Sequence, residues 1–248
     1  MLSAWEAVGR AQLLGNGLFP PFSTSVLALS EWIFAVGGTD GTYSGTWLTH
    51  ALASTTRILI GFAIGSVIGA AVGVLVGWSP VCRKLIDPSV NAIRPISVTA
   101  WIPLALIIFG IGNQPAVFLT VLATFFPVYV NTVAGVQYAE GKLIRAARML
   151  GAHGAQLLIR VALPAALPSI LTGMRIGAAI AWTTVIVAEM LGAKSGLGYV
   201  LIDSYNFFQF QYVIAAMFSV GALGFATDRL VVWFSNRQLR WVGDGASQ

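Results

Sequence analysis

Apolar stretches broken by short polar, glycine-rich or proline-rich segments set the pattern of this chain. A helix crossing the hydrocarbon core of a bilayer needs about 20 mostly apolar residues. Residues 58–82 carry no charge and predict a first crossing from about Thr55 to Trp78. Residues 95–139 are also uncharged and long enough for two crossings, with a break at Gly110-Ile111-Gly112-Asn113-Gln114-Pro115. Those two are expected near Val98 to Phe109, a short span, and Ala116 to Val136. A fourth is expected from about Ile170 to Leu191 and a fifth from about Phe210 to Trp233.

Composition agrees with this pattern. Hydrophobic residues make up 57% of the 248 and charged residues only 9%, against roughly 25% charged in soluble domains. Mean hydropathy is +0.81. The expected class is an all-α membrane protein with five clear transmembrane helices plus a possible sixth or partial N-terminal one.

The 14 Lys and Arg against 9 Asp and Glu fall at the ends of apolar stretches, as cytoplasmic anchoring requires. This argues for contact with the lipid bilayer and against nucleic acid. With the first crossing running inward, the inside receives Arg83, Lys84, Arg94, Lys142, Arg145, Arg148, Arg160, Arg175, Arg237 and Arg240. The outside receives Arg10, Arg57 and Lys194, while Asp228 and Arg229 read as anchors near an inner helix end. The loop 137–169 and the C-terminus are then cytoplasmic.

Three segments follow: an N-terminal outer-surface or partial-helix segment (1–54), a transmembrane domain (55–241) and a tail (242–248). Leu18 to Val36, with Pro20, Pro21 and Glu31, suits an amphipathic helix on the outer surface. Glu6 and Arg10 fall where a cleavable signal would be apolar. Five crossings leave Met1 outside; either a further helix precedes this start, or Met1 to Leu18 forms a partial, re-entrant helix.

Gly61, Gly65, Gly69, Gly73 and Gly77 recur every fourth residue. Such small residues let two helix backbones approach closely, within the chain or at a dimer interface. Glu189 is an acidic residue inside an apolar segment, and membrane-embedded carboxylates default to functional suspects. A structural partner, Arg57 or a backbone amide, is as consistent with it as a solute contact. Trp101 and Trp182 either line a pathway or pack. Cys82 is the only cysteine, so no intrachain disulfide or cysteine metal cluster forms. His50 and His153 stand alone, which argues against a metal site. No G-x4-G-K-[ST] occurs; from Gly135 to Lys142 the spacing is one residue too long, and Leu143 follows the lysine.

The loop 137–169 carries the most specific pattern. Leu143, Ala146, Ala147 and Leu150 recur at helical spacing among Lys142, Arg145 and Arg148. Gly151 is expected to end that helix, and Gln156 to Val161 to restart it as far as Pro164. The residues alone allow a docking hairpin or an interfacial helix. The run Arg145-Ala146-Ala147-x3-Gly151-x9-Val161-x-Leu163-Pro164 resembles the E-A-A-x3-G-x9-I-x-L-P loop of ABC importer permeases, with Arg for Glu and Val for Ile. The Arg form resembles the nitrate, sulfonate, taurine and bicarbonate branch. So do Leu163 to Arg175, Ser54-x2-Arg57-x3-Gly61, Arg94-Pro95-Ile96-Ser97, Ala100-Trp101-Ile102-Pro103, Phe109 to Gly112, Ala188-Glu189-Met190 and Gly196-Leu197-Gly198.

That resemblance spans about Thr49 to Trp241 and implies a type I ABC importer transmembrane fold. The implied partners are ABC ATPase subunits, a periplasmic solute-binding protein and a second permease copy. The resemblance implies that the ATPase would dock on Arg145, Ala146, Ala147, Arg148, Gly151, Val161, Leu163 and Pro164. The chain itself is then not an enzyme and binds no cofactor; ATP and Mg belong to the ATPase. The implied solute is a small anion, with a thiamine-precursor-like heterocycle as alternative. An ion-gradient-driven secondary transporter and a passive channel are the rival classes.

Overall fold

The computed structural model describes residues 2–11, 19–35, 42–140 and 143–238, and every regular element among them is helical. Two short helices, α1 (Leu2–Arg10) and α2 (Phe22–Phe34), precede the long α3 (Trp47–Trp78). Then come α4 (Pro80–Ile93), a 3-10 turn (Val98–Trp101), α5 (Ile102–Phe109) and α6 (Asn113–Glu140). A hairpin of α7 (Leu143–Met149) and α8 (Ala155–Leu157) leads into α9 (Leu163–Gly192), and α10 (Leu197–Asn206) and α11 (Phe210–Gln238) close the chain.

The glycine ladder explains the centre of the bundle. Gly61, Gly65, Gly69, Gly73 and Gly77 meet Thr120, Thr124, Val128, Thr132 and Val136 of α6 in turn. Both ladders advance by four residues in the same sense, so α3 and α6 run parallel. A methyl added at Gly61 would stand 2.5 Å from the Thr120 Cβ, and one at Gly73 2.6 Å from that of Thr132. These glycines therefore face α6 of their own chain. The other side of α6 meets the antiparallel α9, where Gly173 lies on Pro127–Asn131, Gly177 on Thr124, and Gly135 on Ser169. The three-helix slab α3–α6–α9 is the core, and α10, α11 and α2 pack along its edge.

Among the described residues, four helices are long and apolar enough to cross a membrane, at Trp47–Trp78, Asn113–Tyr138, Ala155–Gly192 and Phe210–Gln238. The crossing expected at Val98 to Phe109 is instead the second arm of a broken pair, Pro80–Ile93 and Val98–Phe109, bent by 85°. Pro95 lacks the N–H that would continue the ladder, and after it the chain turns out of helical geometry at Ser97 (φ −55°, ψ 135°), while Arg94 is still helical. The first arm is held to the core by the Tyr129 hydroxyl, which donates to Asp87 at 2.6 Å.

Other helices outrun their apolar stretches. α3 begins at Trp47 rather than Thr55, α6 runs through Pro127, and α11 continues to Gln238. Pro164 does not stop the chain either. A π-turn at Leu158–Ala162 shifts the hydrogen bonding so that Pro164 enters the first turn of α9, where its missing N–H is tolerated. At the N-terminus Trp5 stacks on Phe218 of α11, and Glu6 accepts from the Ser23 amide and hydroxyl. Lys142, Arg240 and the tail 242–248 lie outside the described residues.

Replacing Gly73 with Ala should destabilise the subunit by about 1–3 kcal/mol through overpacking. Thermal unfolding in mild detergent reads this as a lowered midpoint. Gly221→Ala, where a new methyl meets nothing within 4 Å, should leave the midpoint unchanged.

Candidate functional site

Two polar features stand at opposite ends of the α3–α6–α9 slab. At one end Glu189 is fully enclosed and ion-paired to Arg57, itself 3% exposed. The Ser54 hydroxyl lies 2.8 Å from both carboxylate oxygens, and the Gly198 amide donates to one of them at 2.9 Å. Arg57 spends its remaining donors on the Ser195 carbonyl (2.7 Å) and the Asn113 side-chain oxygen (2.6 Å). His50 Nδ1 accepts from the Gly196 amide, and Ser54 from that of Leu197. A charge in this setting is tolerable only when fully paired and hydrogen-bonded.

The loop after α9 is shaped for this. Gly196 holds φ +125°, and a methyl there would stand 2.4 Å from the Glu189 carboxylate. The cluster joins α3, the start of α6, the end of α9 and the start of α10. The Gly112 amide, donating to the Gly192 carbonyl at 2.9 Å, closes the same end. Three separate stretches singled out in the sequence, around Ser54–Arg57, Ala188–Met190 and Gly196–Gly198, thus meet at one point. Both structural partners considered for Glu189 are present, and its side chain is fully enclosed among the described residues. The contributions of His50, Asn113 and Ser195 carried no sequence signal beyond their polarity.

At the opposite end lies the hairpin. Gly151, at φ +85°, closes α7 with two bonds: its own amide to Arg148, and that of Ala152 to Ala147. This is a helix ending that favours glycine. Ile144, Leu157 and Ala162 seat the hairpin, with Val161 and Trp78 of α3 packed against them. Met149 is 89% and Leu150 88% exposed, because the chain turns at Gly151 just after them. Arg145, Ala146 and Arg148 are exposed beside them, Ala147 is half-buried, and Leu163 and Pro164 are half-buried at the start of α9. Arg83 caps the nearby end of α3, donating to the Gly77 carbonyl at 2.8 Å.

Residues 65–240 match the family described as binding-protein-dependent transport system inner membrane component. The chain belongs to that family. It is a permease subunit of an ABC importer, a multi-pass membrane protein rather than an enzyme. It is 35% identical over 244 residues to the taurine transport system permease protein of Escherichia coli (strain K12), covering 98% of this chain and 87% of that one. It is 32% identical over 240 residues to the nitrate import permease protein of Synechococcus elongatus, covering 94% and 84%. The fold matches a chain of the MetNI methionine ABC transporter, solved in an inward-facing conformation, with a TM-score of 0.61. That match has 24% identity and covers 79% of this chain and 95% of the other.

Trp101 and Trp182 are placed differently. Trp101 packs with Ile102, Ala105 and Leu119 where α5 meets α6. Trp182 is 6% exposed and lines a cavity of about 330 Å³ between α9 and α11, and its indole N–H has no hydrogen-bond partner among the described residues. No group of His, Cys, Asp and Glu among the described residues is arranged to hold a metal ion.

Arg57→Gln should cost about 3–5 kcal/mol, since it strands an enclosed carboxylate. Adding Glu189→Gln should restore part of that loss, read as recovery of the unfolding midpoint in detergent. A double variant no better than Arg57→Gln alone would show that the pair is not coupled.

Proposed function

We propose that this permease acts as a pair of copies, with its hairpin docked in cytoplasmic ATPase subunits and a periplasmic binding protein seated on the opposite end. The bare Met149–Leu150 tip carries the reading. Two large apolar side chains flanked by Arg145 and Arg148 stand in the open, on a hairpin seated firmly from beneath. Exposed apolar patches rimmed by polar residues mark contact sites. Ala146, Ala147 and Gly151 complete the docking face, while Val161, Leu163 and Pro164 join it rigidly to α9.

ATP and Mg are held by the ATPase, and this chain supplies no nucleotide-binding residue. Closure of the ATPase pair moves the two hairpins, and α9 carries that movement into the slab without an intervening joint. The permease then switches between two states, and a loaded binding protein favours the same state as ATP, by reciprocity of coupling. The hairpin end and the C-terminus are cytoplasmic, and the Arg57–Glu189 end faces outward, in accord with the basic residues of the hairpin. The solute is a small oxyanion of the sulfonate, taurine, nitrate or bicarbonate kind, supported by the named relatives and the Arg form of the loop.

Gly151→Trp and Leu150→Asp should each reduce ATP-driven uptake more than tenfold and release the ATPase on purification, with membrane insertion unchanged. Gly151→Asn, which tolerates positive φ, should retain most activity. Unaltered uptake by Gly151→Trp would refute the docking assignment.

A further inference from the structure

Arg94 and Arg175 are expected toward the inside and Asp228 near an inner helix end, and the structure shows what each of them meets. Arg175 lies about 18 Å along α9 from Leu163, at ~1.5 Å per residue, because α9 starts at Leu163. Asp228 likewise lies within α11, which continues past it to Gln238. Arg94 sits at the break of the bent pair, in a cavity of about 380 Å³ lined also by Pro127, Asn131 and Ile176. Pro127 and Asn131 pack on Gly173, two residues from Arg175, so the two arginines share one depth.

Neither arginine is enclosed. Arg175 donates from Nε and Nη2 to the two Asp228 oxygens at 2.9 and 3.1 Å, yet the side chains are 57% and 39% exposed. Arg94 is exposed and has no ion pair among the described residues. Ionised groups at this depth avoid lipid and face protein or a water-filled space. The exposed face of α9 between them carries Thr172, Ile176, Ala179 and Ile180 and is flanked by these charged groups. On one side lies the Arg94 cavity. On the other, beyond Asp228, lies the cavity beneath the unpartnered Trp182 N–H.

We infer that this face is the solute's binding surface in the inner half of the membrane, with Arg175 as the principal contact for an oxyanion and Arg94 as a second cation. The inference rests on the oxyanion reading above. The geometry of the resident pair supports it: a guanidinium fork holding two carboxylate oxygens is the arrangement that also grips a sulfonate, nitrate or bicarbonate. Asp228 holds the empty fork, and an exposed pair of this kind is weak enough to exchange. An arriving anion takes the place of the carboxylate, and the carboxylate later helps to expel it. Transit requires such binding to be favourable yet easily reversed. The helix break at Arg94 adds to the case, since interrupted helices are where transporters place solutes within the membrane.

The test uses the complete transporter, reconstituted with its ATPase and binding protein in proteoliposomes, and measures uptake of taurine, ethanesulfonate, nitrate and bicarbonate. Arg175→Gln should lower uptake of the transported anion at least tenfold, and Arg94→Gln severalfold, while the loaded binding protein still stimulates ATP hydrolysis. The exchanged pair Arg175→Asp with Asp228→Arg should stay as impaired as Arg175→Gln, because the cation then projects from α11. Recovery of the exchanged pair to near wild-type uptake would show a merely structural ion pair and overturn the inference. Unchanged uptake by Arg175→Gln would do the same. A wild-type complex that carries none of the four anions overturns the oxyanion reading itself, and this site with it.

Discussion

Helices immersed in hydrocarbon gain nothing by hiding apolar side chains from one another, so their association depends on how closely the backbones approach. In this permease the five glycines of α3 meet that constraint against Thr120, Thr124, Val128, Thr132 and Val136. Everything else is placed relative to the resulting seam. α9 lies on the far side of α6 through Gly173 and Gly177, and the broken α4–α5 pair, α10 and α11 attach around these three.

The slab is finished differently at its two ends. At one end, the enclosed Arg57–Glu189 pair ties four segments with directional bonds and leaves little freedom for relative movement. At the other, the hairpin packs on Trp78 and runs through a π-turn straight into α9. A rigid body with one fastened end and one protruding handle is suited to rocking as a unit. The ion pairs differ accordingly. Arg57–Glu189 is enclosed and fully satisfied, while Arg175–Asp228 is open to its surroundings.

Much of this was legible in the sequence. The glycine period announced a close seam, the apolar stretches gave the spans approximately, and the Arg145–Pro164 spacing gave the hairpin with its turn at Gly151. Helix ends were less legible, because α3, α9 and α11 continue beyond their apolar stretches, and charge alone does not mark where a helix stops. Charge alone set Arg94 and Arg175 toward the inside without showing that Arg175 pairs with Asp228. The broken pair at Pro95 was read as one short helix because its first arm carries Arg83, Lys84 and Asp87. The convergence of Ser54, Arg57, Glu189 and Gly198 depends on contacts between residues far apart in the chain, which no local pattern encodes.

The central claim is that this chain forms a pathway whose movement is driven from its hairpin by a separate ATPase. The most direct measurement is solute uptake into proteoliposomes containing the chain alone, the chain with the ATPase, and both with loaded binding protein, with ATP or an ion gradient supplied in turn. The account requires uptake only in the full set and only with ATP. Uptake by the chain alone, driven by an ion gradient, would contradict it and make the protein a secondary transporter.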